Sequence, residues 1–507
     1  MKFDLNPEVD KYLKDQINKQ YINPKQGYLN KPLNAEIYEK EIQSMSLLRY
    51  NMISKLVEKV SIDNIINLYE KKLVTPREIV IFYIKRIIDQ KKLNAIISIN
   101  PFALEVANSL KESNINKMPL YGVPIVLKDN IATKDDMPNT AGSILLKNSY
   151  VSRDSFLTVK LREAGAIIIG KANMSEWANF MTFDSSNGYS SLGGQTKNPY
   201  GNFDVGGSSS GSAVAVAANL SPISIGTETS GSLIYPASQN NIFALKPTVG
   251  LVSRDLIIPI SENQDTAGPM AKNIKDLAKV LNVICAYDER DKKANKYYVK
   301  DYTKFINKPI KNLKIGFLED EFIKNEYREE DQLLLDNIKK LFLNEDIVIE
   351  KIGFSEENYN INLMDLMLYE FKIGINDYLK KEEVKSDLSL DKIIKKYTEN
   401  KKKFAPYGLD ILEKSQNNNI SKNLYENIKK ENTKLSTKVL EDALNKVDAI
   451  VTISNYASRV YSCALFPAIS IPMGFRNNGE PIGATVISRK FSEDILIKIA
   501  SFIEKTI

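Results

Sequence analysis

Between residues 95 and 250 the chain alternates short runs of β-branched and aliphatic residues with helical stretches, and this alternation limits its fold more than any other feature. Ala95-Ile96-Ile97-Ser98-Ile99, Val123-Pro124-Ile125-Val126-Leu127 and Ala166-Ile167-Ile168-Ile169 predict strands, and residues 155–164 predict a helix between the last two. Strands joined through helices collect into one sheet with helices on its faces, so the pattern argues for an α/β fold with a mixed sheet. The pattern returns at the end of the chain, where residues 449–453, 468–471 and 482–487 read as strands and residues 493–504 as a helix. Between these parts, residues 290–445 are rich in Lys, Glu, Asn and Leu at helical spacing, which predicts a mostly helical insertion with one strand at residues 315–318. The simplest arrangement is a single domain over residues 61–507, whose final strands rejoin the sheet begun before residue 250, preceded by an N-terminal helical extension over residues 1–60. Ser61 and Thr75 are expected helix N-caps, with Pro76 at the first helical position.

What such a domain can do is narrowed by one absence: the 507 residues include no histidine. A Ser-His-Asp triad, a Cys-His pair and the usual catalytic zinc sites all require imidazole. Nucleophilic catalysis in this chain needs another base, and a lysine held neutral by its surroundings can serve. The net charge of +6 is small for the length and demands neither nucleic acid nor an anionic membrane as partner. The two cysteines, Cys285 and Cys463, lie in apolar runs and read as buried free thiols, which fits a reducing compartment. No apolar stretch has the length of a membrane span and no signal peptide is recognised, so a cytoplasmic location is expected.

The densest local signal runs over residues 206–247. Gly206-Gly207-Ser208-Ser209-Ser210-Gly211-Ser212 leads into a small-residue helix, Ala213-Val214-Ala215-Val216-Ala217-Ala218, and then Gly226-Thr227-Glu228-Thr229-Ser230-Gly231-Ser232. A flexible linker would lack the apolar helix and strand within this stretch. A phosphate cradle would call for a nucleotide-binding glycine pattern, and none is present. The third reading is a nucleophile site: small residues let backbone approach a substrate, and successive N–H groups at a tight turn can converge on one oxygen.

In these blocks the chain resembles the amidase signature family. The resemblance extends upstream to Gly122-Val123-Pro124-Ile125-Val126-Leu127-Lys128-Asp129-Asn130 and Gly170-Lys171-Ala172-Asn173-Met174-Ser175-Glu176. Downstream it includes Lys246-Pro247-Thr248-Val249-Gly250, Asp265-Thr266-Ala267-Gly268-Pro269 and Pro467-Ala468-Ile469-Ser470-Ile471-Pro472. It implies the amidase signature fold, a central mixed twisted β-sheet covered by helices on both faces. It also implies a Ser-Ser-Lys triad made of Lys128 as base, Ser208 as bridging serine after a cis peptide bond from Gly207, and Ser232 as nucleophile. By the same resemblance the backbone N–H groups of Thr229, Ser230, Gly231 and Ser232 form the oxyanion hole, Asp265 is a structural anchor, and no metal or cofactor takes part. The implied reaction is cleavage of a linear carboxamide to a carboxylate and ammonia or an amine through a Ser-linked acyl-enzyme.

The chain departs from the common family pattern at Glu228, where Asp is frequent, at Ser230, where Gly is frequent, and at Leu233-Ile234-Tyr235, where many members continue Ile-Arg. The missing arginine counts against the A (glutaminase) subunit of a glutamyl-tRNA(Gln) amidotransferase, which is the nearest enzyme alternative. A catalytically silent scaffold with the same fold is the alternative of another class, and the intact Lys128, Ser208 and Ser232 argue against it. The expected partner is a small-molecule or peptide amide substrate, with the chain a monomer or homodimer. Met181 and Phe183 are candidate substrate contacts.

Overall fold

The computed structural model describes residues 31–58, 61–296, 301–320, 328–345, 347–354 and 361–506. Within the predicted N-terminal extension, residues 1–30, 59 and 60 lie outside the described residues, and the remainder holds the helices Glu39–Ser44 and Leu47–Leu56. Thirteen strands follow: β1 (Ile96–Ile99), β2 (Pro124–Lys128), β3 (Ile167–Ala172), β4 (Tyr189–Ser190), β5 (Gly194–Gln195), β6 (Ile223–Glu228), β7 (Phe243–Lys246), β8 (Thr266–Ala271), β9 (Lys314–Leu318), β10 (Val348–Ile352), β11 (Ala449–Ile453), β12 (Ala468–Phe475) and β13 (Pro481–Ser488). Eleven of them form one sheet in the order β1-β3-β2-β6-β8-β7-β12-β13-β11-β9-β10, while β4 and β5 pair separately.

The sheet is mixed, as the sequence predicts. Strand β2 runs parallel to β3 and β6, β8 is antiparallel to both its neighbours, and β9 is parallel to β10 and β11. Helices flank it, so β2, β3 and β6 are buried along their whole length, and β2 and β3 open with continuous rather than alternating apolar runs. The helix Pro76–Asp89 begins where its caps dictate: Thr75 and Glu78 form a capping box and Pro76 opens the first turn. Such a cap contributes about 1 kcal/mol, and Ser61 makes the corresponding bond to the Asn64 N–H for the preceding helix.

The insertion departs from expectation in one respect. It contributes two strands to the sheet, β9 and the unpredicted β10. Strand β10 is an edge strand of sequence Val-Ile-Glu-Lys-Ile, and only its last residue, Ile352, is buried, so charged and exposed positions hide its strand character.

The helical part of the insertion is bound to the body through a second core. Phe371 and Ile375 of the helix Leu363–Lys380 pack with Trp177, Phe180, Leu256 and Ile258. Trp177 and Phe371 meet edge-to-face at 6.3 Å, and burying a side chain of this size stabilises by roughly 1.5–3 kcal/mol. The segment Trp177-Ala178-Asn179 takes positive φ at all three positions and is fixed between these packed aromatics. Both cysteines are free and buried, and burial pushes the Cys463 thiol up to about 12. No described helix is long and apolar enough to cross a membrane.

Candidate active site

Lys128 is the last residue of the interior strand β2, and its side chain is completely buried. The neighbouring parallel strand β6 is in register with Leu127 opposite Ile225, which carries Thr227 alongside Lys128. The amine nitrogen lies 2.8 Å from Ser208 Oγ, 2.9 Å from Thr227 Oγ1 and 3.2 Å from the Thr227 carbonyl oxygen. Asn130 Nδ2 donates to the same Thr227 hydroxyl at 3.1 Å.

Ser208 follows a cis Gly207–Ser208 peptide bond and immediately precedes the helix Ser210–Ala217. That helix starts in a crowded corner. A Cβ on Gly211 would lie 2.3 Å from the Ala95 carbonyl oxygen and 2.4 Å from that of Asn173, so only glycine fits. Ser209 ties the loop to the sheet by donating from Oγ to the Thr227 carbonyl at 2.9 Å and accepting the Thr227 N–H at 3.2 Å.

Strand β6 ends at Glu228, and the chain turns through Thr229-Ser230-Gly231-Ser232 with Gly231 at φ 78°, a conformation that favours glycine. The Glu228 carboxylate folds back onto this turn and accepts the N–H groups of Gly231 and Leu233 at 2.8 Å and Ile234 at 3.2 Å. On the other side, Asp265 accepts the Thr229 hydroxyl at 2.5 Å and the Ile260 and Ser261 N–H groups at 2.8 and 2.9 Å. Gln264 Nε2 holds the Thr229 carbonyl at 3.1 Å. Ser232 is half-buried, and its carbonyl accepts the Ser209 N–H at 3.3 Å, which joins the turn after β6 to the Ser208 loop.

Lys128, Ser208 and Ser232, three sites distant in sequence, therefore converge. Lys128 and Ser208 meet side chain to side chain, and Ser232 is attached through the backbone next to Ser208. Of the four N–H groups expected to line an oxyanion hole, the structure commits that of Gly231 to Glu228 Oε1, leaving Thr229, Ser230 and Ser232 as the remaining donors of the turn. Met181 and Phe183 are not among the residues that line the cavity beside Thr227 and Thr229. Met181 is buried and accepts the N–H groups of Ile411 and Leu412 at its carbonyl, while the Phe183 ring receives Lys414 Nζ at 4.7 Å. Both pack against the insertion helix Asp410–Asn417, whose contacts to the body are set by the fold and not by local sequence. Thr227, Asn130 and Gln264 are contacts that sequence reasoning missed. Their signal was the position of Thr227 on a strand next to Lys128, visible only once β2 and β6 are known to be neighbours.

The electrostatics follow from burial. Desolvation lowers the Lys128 amine from its ordinary value near 10.5 to about 7, opposed by the negative charges of Asp265 and Glu228. Burial raises the Asp265 carboxyl, against the hydrogen bonds it accepts from Thr229, Ser261 and Ile260. A cavity of about 540 Å³ opens beside Thr227 and Thr229, walled by Ile258, Ile260, Tyr369 and Ile373, and extends to Lys293 and Lys429. A pocket of this size accommodates a small organic group or a few peptide residues.

The amidase family model matches residues 78–458. A probable amidase of Arabidopsis thaliana is 36% identical over 478 residues, covering 89% of this chain and 90% of its own. The crystal structure of an amidase family protein from Bacillus anthracis superposes with a TM-score of 0.88 at 32% identity, covering 95% of this chain and 98% of that one. The native peptide amidase of Stenotrophomonas maltophilia gives 0.81 at 32% identity, covering 89% and 97%. Fold and similarities together define an amide-hydrolysing enzyme. The chain belongs to the amidase family.

Proposed function

We propose that this enzyme hydrolyses a linear carboxamide, a peptide amide or small organic amide, through an acyl-enzyme on Ser232 with Lys128 as base and Ser208 as proton relay. The observation that carries this reading is the buried Lys128 amine 2.8 Å from Ser208 Oγ. A neutral amine has two N–H donors and one lone pair, and the Lys128 nitrogen has three oxygen neighbours. The Thr227 carbonyl only accepts, and the Thr227 hydroxyl already accepts from Asn130. With the amine neutral, its lone pair can accept the Ser208 hydroxyl proton, and the Ser208 oxygen can then accept a proton from Ser232.

The steps follow. Ser208 passes its proton to Lys128 and takes that of Ser232 as Ser232 Oγ bonds to the amide carbon. Negative charge moves to the carbonyl oxygen, stabilised by N–H groups of the turn at Thr229, Ser230 and Ser232. Lys128, through Ser208, returns the proton to the amide nitrogen, the C–N bond breaks, and ammonia or an amine leaves. Water then gives its proton to the same relay and attacks the ester carbon, releasing the carboxylate and restoring Ser232. Glu228 and Asp265 act as positioning residues that hold the two sides of the turn.

The test is hydrolysis of an amide panel by the isolated chain, with Lys128→Ala, Ser208→Ala and Ser232→Ala controls. Loss of turnover in Lys128→Ala and Ser232→Ala with the fold intact supports the reading, and full activity in either one contradicts it. Turnover by the isolated chain also separates this reading from a glutaminase subunit that works within an assembly.

A further inference from the structure

The cavity beside Thr227 and Thr229 does not end at the insertion. It shares Asn263, Lys293 and Lys429 with a second depression of about 670 Å³ that runs along the helix Lys422–Leu444. This groove is lined by five lysines, Lys293, Lys429, Lys430, Lys434 and Lys438, against two carboxylates, Glu441 and Asp442. Part of that charge is matched locally: Lys429 pairs with Glu426 at 2.6 Å, and Lys438 pairs with Asp442. The arginines at the cavity wall are also matched, Arg254 by Asp291 and Arg290 by Asp288. Lys430 and Lys434 are exposed and make no ion pair with a described residue, and Lys293 at the junction holds only the Asn263 side-chain oxygen, at 3.1 Å. Burial, with Arg254 and Lys429 nearby and against the charges of Glu370 and Glu262, holds the Lys293 amine below the ordinary lysine value, so the excess of positive charge lies in the groove at Lys430 and Lys434.

The spacing is informative. Lys430, Lys434 and Lys438 recur every four residues and so share one helix face, roughly 6 Å apart along the axis. Alternate side chains of an extended peptide are separated by about 6.6 Å and point the same way. A strand laid in the groove with acidic residues at every second position would set successive carboxylates against successive lysines.

We infer that the cavity and the groove form one substrate channel for an amidated acidic peptide, with its amide end beside Ser232 and its upstream carboxylates on Lys430 and Lys434. The inference rests on the reading of the site as an amide hydrolase and names its substrate class. The walls Tyr369, Ile373 and Ile258 take the residue next to the amide, while Lys293 marks the passage from apolar cleft to basic groove.

The test compares two peptide amides of equal length that share the C-terminal residue, one with Glu and one with Gln at alternate upstream positions. At low salt the Glu peptide is expected to show kcat/KM roughly tenfold higher, about 1.4 kcal/mol, carried by KM. In a Lys430→Glu, Lys434→Glu double variant that preference should vanish or reverse. Equal rates in the wild type, or a preference that survives in the variant, overturns the inference. Absence of turnover with both peptides counts against the hydrolase reading instead. The channel is then judged by fluorescence anisotropy with the same peptides as free acids. Tighter binding of the Glu peptide to the wild type, abolished in the variant, supports the channel, and equal binding of both peptides refutes it.

Discussion

The Lys128 amine lies 2.8 Å from the Ser208 hydroxyl oxygen while no part of the Lys128 side chain is exposed. Burial lowers the amine to about 7, so a base is available at neutral pH from a residue that is ordinarily protonated there. Below that value the lysine gains a proton and loses its lone pair. We expect kcat/KM to fall about tenfold per pH unit on the acid side of a midpoint near 7. The pH–rate profile with a neutral amide measures this, and activity undiminished at pH 4 contradicts it.

The same burial has a consequence for stability. Because the folded-state value is lowered, the unfolded chain binds the additional proton between about pH 10.5 and 7. The contribution of Lys128 to stability is therefore lost as pH falls through this window and is constant below it. Lys128→Met removes the titration. We expect the variant to be inactive and to gain stability relative to wild type as pH is lowered from 10 to 7, by up to a few kcal/mol. Urea unfolding at pH 7 and 10 reads the difference, and a pH-independent gap contradicts the buried neutral amine.

Thr227 is the second hydroxyl that meets the Lys128 amine, at 2.9 Å. Thr227→Val keeps the shape of the side chain but removes the oxygen that accepts from Lys128 and Asn130. The ammonium form loses an acceptor, so the acid limb should move to lower pH. With the amine held less firmly beside Ser208, kcat should fall roughly tenfold while KM changes little. An unchanged profile and rate would remove Thr227 from the machinery.

Glu228 accepts three backbone N–H groups across the turn that carries Ser232. Glu228→Ala leaves them buried without a partner, each at a cost of about 1–3 kcal/mol, and loosens the donors facing the substrate oxygen. We expect a large drop in melting temperature and a fall in kcat of roughly 10²-fold or more. Glu228→Asp keeps the carboxylate on a shorter stem and should be intermediate in both. A Glu228→Ala protein as active and stable as wild type would separate Glu228 from the turn.

Much of the sheet was legible in the sequence because β2, β3 and β11 are buried on both faces and read as unbroken aliphatic runs. Strands β7, β8 and β10 were not. The edge strand β10 exposes its charged residues, and the interior strand β8, Thr-Ala-Gly-Pro-Met-Ala, carries a glycine and a proline that argue locally against a strand. Strand β8 exists because Gly268 lets it approach β7 closely: a Cβ there would lie 2.0 Å from the Leu245 carbonyl oxygen. The convergence of Lys128, Ser208 and Ser232 was anticipated from resemblance and not from spacing. Thr227 and Gln264 were hidden because strand register and the packing of residues 260–265 bring them to the site, and neither is a property of local sequence. The contacts of Met181 and Phe183 with the helix Asp410–Asn417 were hidden for the same reason.

The central claim is that Ser232 carries the acyl group and Lys128 makes it reactive. Labelling with a fluorophosphonate, followed by peptide mass spectrometry, tests it most directly. The account predicts one adduct, on the peptide containing Ser232, formed much more slowly in a folded Lys128→Ala protein and absent in Ser232→Ala. An adduct on another residue, or labelling of Ser232 at an undiminished rate without Lys128, would contradict it.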